Sequence, residues 1–438
     1  MGLVLGGLRR LASLELLDRY NLRDRVEGLV YAGARNGFSA ANGAGRQFAR
    51  ATKAVGAAPA RQTTAGSGAG LFDLSPDDEQ QMLVATFADF AATHLRPAAR
   101  EADDAQAAPE KLTKMAAEMG SMVLGIPTDL GGVVDERSSV TSVLALDALA
   151  HGDMGLAAAI MAPASVATAL ALWGDADQQA QYLTAFTEEG SSATGPPVAA
   201  LAIAEPRPLF DPFALRTTAR REGEVYVLDG VKALVSTVAT AELYLVAAAI
   251  GGQPALFLVE AGTEGLAVRA EPTMGVRATA SGELLLSEVR VPATALLAEG
   301  APEVYAEAIA RSRIAWAALA TGTAQAVLDY VIPYVKERHA FGEPIAHRQA
   351  VAFTVSDIAI ELEGLRLATW RAASLADQGK PFTRAAAVAH RLAADKGMQI
   401  GSDGVQMLGG HGYVKEHPVE RWYRDLRAAA LLDGMVLV

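Results

Sequence analysis

Val225-Tyr226-Val227-Leu228 is a run of β-branched, aromatic and aliphatic residues, and Asp229-Gly230 follows it directly. An Asp-Gly pair between strand-like runs predicts a tight turn. Leu243 to Ile250, Ala255 to Val259, Leu266 to Ala270 and Glu283 to Val291 have the same character, so residues 196–300 read as a compact β domain. Outward from it, both flanks are helical. Residues 71–195 carry long Ala, Leu and Met runs punctuated at Gly125-Ile126-Pro127 and Gly131-Gly132. Their first helix is expected to start at Ser75 as N-cap, with Pro76 in the first helical position and Asp77, Asp78 and Glu79 on its positive end. From Pro302 helical periodicity returns across residues 301–438, broken at Gly342, Gly379 and Gly409–Gly412. Helices, then strands, then helices predict an α+β fold with segregated layers, not an alternating parallel sheet.

The length of 438 residues corresponds to about three units at ~150 residues each. Hydrophobic residues make up 51% and charged residues 20%, which provides a full core. The net charge of -12 argues against nucleic acid as a partner, because that binding depends on neutralising phosphates. With no cysteine, thiolate catalysis, disulfides and Cys-ligated metals are excluded. Residues 1–70 differ from the rest, with 10 basic and 4 acidic side chains. Leu11–Tyr20 and Val26–Tyr31 read as short helices, and residues 40–70 as an Ala/Gly-rich linker. Such a basic extension can hold a partner protein or touch an anionic membrane, but a solvated arm fits as well and membrane contact is not favoured. Leu156 to Trp173 has no charge, yet Pro163, Ser165 and Thr168 make it a buried helix of a soluble bundle. Met1 to Gly7 lacks the charged start of a secretory signal, so a cytoplasmic location is expected.

The common catalytic signatures are missing: no Gly-x-Ser-x-Gly elbow, no phosphate loop and no Gly-x-Gly-x-x-Gly between strand and helix. The seven histidines are scattered, and no metal site is expected. Three segments stand out: Met274-Gly275-Val276-Arg277, Arg338-His339-Ala340-Phe341-Gly342-Glu343-Pro344-Ile345, and Gln406-Met407-Leu408-Gly409-Gly410-His411-Gly412-Tyr413. Singly, each has a plain reading: Gly409–Gly412 suits a helix C-cap and Arg338 a solvated face.

Together and in this order, they resemble the acyl-CoA dehydrogenase family over roughly residues 72–438. The resemblance implies an N-terminal helical domain, a middle β domain and a C-terminal four-helix bundle. It also implies FAD as cofactor, an acyl-CoA thioester as substrate, an electron-transferring flavoprotein as electron acceptor, and a dimer or tetramer, homo- or hetero-oligomeric. In that family Arg338, Phe341, Gln406, Gly409 and Gly410 match positions holding the diphosphate and adenosine end of a neighbouring subunit's FAD. A guanidinium suits diphosphate oxygens, and glycines admit a close backbone approach. Arg313 matches a contact to the CoA end of the substrate.

The flavin-ring side departs from the family pattern. The Thr-Glu-Pro-x-Ala-Gly-Ser-Asp loop stands here as Ala204-Glu205-Pro206-Arg207-Pro208-Leu209-Phe210-Asp211, and Trp-Ile-Thr as Leu234-Val235-Ser236. Ser236 keeps a hydroxyl for the flavin; Glu205 and Pro206 are expected to shape the loop. The base falls on Asp433 of Asp433-Gly434-Met435, where the family has Glu, so its carboxylate sits roughly 1.5 Å further back. The alternative base position holds Ser312. Where the family usually continues its last helix, this sequence runs four residues past Gly434. A scaffold that no longer binds FAD is argued against by the intact adenosine half-site, and two readings follow. Either Asp433 is the base of an active acyl-CoA dehydrogenase, or the chain is a non-catalytic subunit lending half of a partner's FAD site.

Overall fold

The computed structural model describes residues 76–132, 134–187 and 197–438. The chain divides at Leu71/Phe72, and all described residues belong to the second unit. The readings made for Leu11–Tyr20, Val26–Tyr31 and the linker lie outside the described residues, as does Ser75. The first described helix, α1 (Asp78–Phe90), is capped by Asp77, where the sequence predicted Ser75. The Asp77 carboxylate accepts from the Gln80 amide at 2.9 Å, and the Gln80 side chain accepts from the Asp77 amide at 3.1 Å. This reciprocal box moves the start past Pro76, because Asp77 has the Gln three residues on that completes it.

A π turn at Ala91–Leu95 joins α1 to α2 (Arg96–Ala105), and α3 (Glu110–Glu118) follows. Ser138 caps α4 (Ser139–Gly152) and Asp153 caps α5 (Met154–Trp173). Helix α5 is apolar and long enough to cross a membrane, but nearly all of it is buried inside the protein. Its Val166 and Leu170 pack on β1 (Ala199–Ala202), so its lack of charge reflects core burial.

Among the described residues, seven strands form one sheet: β1, β2 (Thr218–Glu222), β3 (Val225–Val235), β4 (Leu243–Ile250), β5 (Gln253–Glu260), β6 (Leu266–Ala270) and β7 (Gly282–Pro292). The strand order is β1-β4-β2-β3-β7-β6, with β5 also paired to β4. Along β4, Leu243, Leu245 and Ala247 face the helices, while Tyr244, Val246 and Ala248 face the β core with Phe257. Period-two alternation thus serves two apolar faces at once.

The expected turn at Asp229-Gly230 does not exist; both residues lie inside β3, where the register to β7 shifts between Leu228 and Gly230. The pair forms a bulge. Gly230 has φ 151°, and a Cβ there would lie 2.6 Å from Thr217 Oγ1. The Asp229 carboxylate takes the Arg220 guanidinium at 2.8 Å and the Glu288 amide at 2.8 Å, stitching β3 to both neighbours. An Asp-Gly pair supplies what a bulge needs as readily as what a hairpin needs.

Helices return with α6 (Pro302–Glu337), α7 (Gln349–Asp377), α8 (Thr383–Leu392), α9 (Met398–Leu408) and α10 (Val419–Ala428). A π turn, Ala393–Gly397, makes α8 and α9 continuous. Four helical rods therefore pack around Trp316, Leu362, Ile400 and Trp422. Between α6 and α7 a hairpin pairs His339–Ala340 with Glu343–Pro344. Its central residues, Phe341 (φ 56°) and Gly342 (φ 89°), are both left-handed, as a type I′ turn requires.

Candidate active site and cofactor half-site

One turn of α6 organises the candidate site. Ser312, Arg313 and Trp316 all reach the Asp433-Gly434 turn, about 120 residues away along the chain. Arg313 Nε donates to Asp433 Oδ1 at 2.8 Å, and a second guanidinium nitrogen lies 3.5 Å from Oδ2. Ser312 Oγ donates to the Gly434 carbonyl at 3.0 Å and accepts from its amide at 2.7 Å, while Trp316 Nε1 donates to the same carbonyl at 2.9 Å. Gly434 has φ 100°, and a Cβ there would meet Ile203 at 3.0 Å. Both conformation and space therefore require glycine, and the turn after Asp433 is fixed by its backbone. Both partners of the Arg313–Asp433 pair are mostly buried.

His390 of α8 joins this group. Burial lowers its pKa, with Asp433 opposing and Arg313 reinforcing that effect. Its Nε2 is buried without a partner among the described residues. Sequence spacing carried no sign of His390, because the bundle brings α8 to the Asp433 turn only in three dimensions. Tyr305, one helical stretch before Ser312, is buried and donates to the Pro212 carbonyl at 2.7 Å. Burial first, then the charges of Asp433, Glu205 and Asp211, push its hydroxyl far above the ordinary phenol value.

The loop of residues 204–217 is held by Glu205. Its carboxylate accepts from the Arg216 and Thr217 amides at 2.8–3.0 Å and from Lys232 Nζ at 3.2 Å. Burial opposes ionisation of Glu205, but Lys232 and those amides outweigh it and hold the carboxyl below its usual range. Lys232 is fully buried and also donates to the Ile203 carbonyl at 3.1 Å; burial pulls it down to about 8 against the pull of Glu205. Glu205 thus serves as an anchor of the loop. Beyond it, the Arg207 guanidinium lies 5.3 Å from the centre of the Phe210 ring, and Leu209 is fully exposed.

Ser236 is buried at the end of β3, and its hydroxyl donates to the Thr279 carbonyl at 3.3 Å. Its neighbour Thr237 sits at φ 48° with a buried hydroxyl that has no partner among the described residues. Sequence reasoning passed over Thr237; an orphaned hydroxyl beside Ser236 is visible only in the structure.

At the other end of the bundle the remaining predicted residues share an open surface. Arg338 follows the last turn of α6 and is exposed. Phe341 projects from the hairpin tip with 94% of its surface exposed, and Arg348 stands 5.7 Å from its ring centre. Gln406 lies exposed in the last turn of α9, and Gly409 caps the helix at φ 56°, ψ -131°. Nothing lies within 4 Å of where a Cβ would stand on Gly409 or Gly410.

Three stretches match three family domains: residues 77–189 the acyl-CoA dehydrogenase N-terminal domain, 200–289 the middle domain and 302–436 the C-terminal domain. The chain belongs to the acyl-CoA dehydrogenase family. It is 33% identical over 366 residues to the mitochondrial short-chain specific acyl-CoA dehydrogenase of Rattus norvegicus, covering 82% of this chain and 87% of that one. It is 32% identical to the cyclohex-1-ene-1-carbonyl-CoA dehydrogenase of Geobacter metallireducens, over 82% of this chain and 94% of that protein. The structure of butyryl-CoA dehydrogenase from Megasphaera elsdenii is similar with a TM-score of 0.76 at 29% identity, covering 83% of this chain and 96% of that one.

This acyl-CoA dehydrogenase is accordingly an FAD-dependent oxidoreductase that desaturates the α,β bond of an acyl-CoA thioester. Its own residues fit the cofactor at both ends. Arg338, Gln406 and the glycine turn present a cation, an amide and open backbone, which is a donor set suited to a diphosphate. Phe341 presents a π face at the same surface. On the flavin side the orphaned Thr237 hydroxyl supplies a hydrogen-bonding group beside Ser236. The losses at Ala204 and Leu234 leave that side with fewer contacts than the family pattern.

Proposed function

We propose that Asp433 is the base that takes the α-proton of the acyl-CoA thioester, with Arg313 as its positioning partner. The observation that carries this is the double clamp of Ser312 and Trp316 on Gly434, which holds the Asp433 carboxylate on Arg313. Fixing a carboxylate to better than about 1 Å is worth ~100-fold in rate. When bound, FAD would supply the acceptor for the hydride from Cβ. Ser236, predicted as the flavin contact, is fully buried with its hydroxyl spent on the Thr279 carbonyl, so the Thr237 hydroxyl beside it, unpartnered among the described residues, would take that role. Arg338, Phe341, Gln406, Gly409 and Gly410 would hold the adenosine end of a neighbouring copy's cofactor. The chain then works as a homo-oligomer and passes electrons to an electron-transferring flavoprotein. The similarity to butyryl-CoA and short-chain enzymes favours a short acyl group.

The second reading, a non-catalytic subunit of a hetero-oligomer, draws on a specific contrast. The adenosine half-site is complete and exposed, whereas the flavin loop carries Ala204, Phe210 and Leu234. A visible spectrum of the purified chain, taken anaerobically before and after a panel of acyl-CoAs, separates the two. Bleaching of the flavin band, abolished in Asp433→Asn with the flavin still bound, is the expected result. A colourless protein after reconstitution with FAD overturns it in favour of the second reading.

A further inference from the structure

Away from the candidate active site, a cavity of about 230 Å³ opens between the start of α2 and the segment leading into α10. Four cationic side chains line it: Arg96, Arg100, Lys415 and Arg421. That volume is roughly seven water molecules' worth, enough for a tetrahedral oxyanion with part of its hydration. Glu416 is the one carboxylate in the lining, and Tyr330 and Trp422 form the aromatic wall.

Two of the four cations are already neutralised. Arg421 Nε donates to the buried Asp153 carboxylate at 3.0 Å, and Lys415 Nζ reaches Asp104 at 2.6 Å. Among the described residues, Arg96 has no carboxylate at hydrogen-bonding distance. Its guanidinium bonds instead to the ring and the carbonyl of His151, and its Nε is buried without an acceptor among the described residues. Trp422 Nε1 is in the same state. The Arg96 guanidinium lies 5.8 Å from the centre of the Trp422 ring, so the two orphaned donors belong to one stack. Burial keeps Arg96 below its ordinary pKa; Asp329 opposes this and the like charge of Arg421 adds to it. A buried guanidinium nitrogen left without an acceptor beside two further arginines is an arrangement that a doubly charged anion relieves.

We propose that this cavity is an oxyanion site that takes a phosphate group, with Arg96 and Arg100 as its principal ligands and Lys415 and Arg421 at its rim. The proposal is independent of Asp433 and of the FAD half-site. A phosphate group can arrive as the free ion or on a small organic phosphate.

The test uses the full chain saturated with FAD, in chloride buffers of matched ionic strength. Inorganic phosphate is titrated by calorimetry and by tryptophan fluorescence, and glycerol 3-phosphate is titrated in parallel. Arg100→Gln and Lys415→Gln alter exposed side chains and leave the core intact; Arg96→Gln removes the inner ligand. Saturable phosphate binding is expected, at least tenfold weaker in Arg100→Gln and lost in Arg96→Gln. Tighter binding of glycerol 3-phosphate identifies a carried phosphate, and tighter binding of inorganic phosphate the free ion; both support the site. No saturable heat or fluorescence change over chloride overturns it. Equal affinity in the wild type and Arg100→Gln does so too, whatever the fate of Arg96→Gln.

Discussion

Asp433 can take a proton only through lone pairs that Arg313 leaves uncovered. The uneven pair, 2.8 Å to Oδ1 and 3.5 Å to Oδ2, leaves Oδ2 the freer oxygen. Arg313→Gln separates two roles for the arginine. If it positions Asp433, kcat falls about tenfold or more while KM for the acyl-CoA changes little. A KM increase with kcat unchanged would instead assign it to the CoA end of the substrate. Motif spacing located both residues, but not their pairing, since residues 120 apart meet only after the bundle assembles.

A second residue-scale effect concerns Asp425, which was silent in the sequence. Its carboxylate accepts from the Val276 amide at 2.6 Å. Burial, then the charge of Asp153, push it up to about 8 from 3.8, with Arg421 and Arg424 opposing. The folded state therefore keeps a proton that the unfolded chain releases near pH 4. That contribution is fully present below about pH 4 and is lost as pH rises toward 8, by up to about 1.4 kcal/mol per pH unit. Asp425→Asn keeps an acceptor for Val276 and removes the titration. Urea unfolding at pH 5, 7 and 9 is expected to show the variant gaining on the wild type as pH rises. Parallel stabilities at all three values would exclude Asp425 as the source.

Among the elements, β3 to β7 were legible in the sequence, and β1 and β2 were not. Helices announced themselves through long periodic runs and glycine breaks, and Gly342, Gly379 and Gly409 do end or connect them. Strand β1, Ala199-Ala200-Leu201-Ala202, has a composition that favours helix, and only its parallel pairing with β4 makes it a strand. β2 carries Arg220, Arg221 and Glu222 on exposed positions, so its strand character rests on the ladder to β3. At Asp229-Gly230 the local signal was real but ambiguous between hairpin and bulge. Gly230→Ala tests the bulge reading directly. A Cβ would stand 2.6 Å from Thr217 Oγ1 and 2.7 Å from Thr217 Cα, both fixed by Glu205 through the Thr217 amide. The expected cost is ~1–3 kcal/mol in thermal or urea unfolding. An unchanged midpoint would mean that β2 and the 204–217 loop move aside freely.

At the scale of the whole molecule, the proposed reading gives one chain two separate half-sites. Arg313 of α6 pairs with Asp433 near the end of the described chain, while Arg338, Phe341, Gln406 and Gly409 are exposed around the far ends of α6 and α9. Exposed aromatic surface on a left-handed backbone, as at Phe341, is costly to an isolated chain and fits a residue covered in an assembly. If each complete site takes its base from one copy and its adenosine grip from another, two defective variants repair each other. Asp433→Ala supplies intact Arg338, and Arg338→Ala supplies intact Asp433. Each alone is expected to be nearly inactive. Unfolded together and refolded in equal amounts with FAD, they form mixed pairs in which one of two sites is whole and the other doubly broken. Random pairing makes about half the dimers mixed, so activity should return to about a quarter of the wild type. Mixing without unfolding should restore much less, since subunits must exchange. Activity no higher than that of the separate variants would place both halves of a working site in one chain, and full activity on addition of a different dehydrogenase subunit would favour the hetero-oligomer.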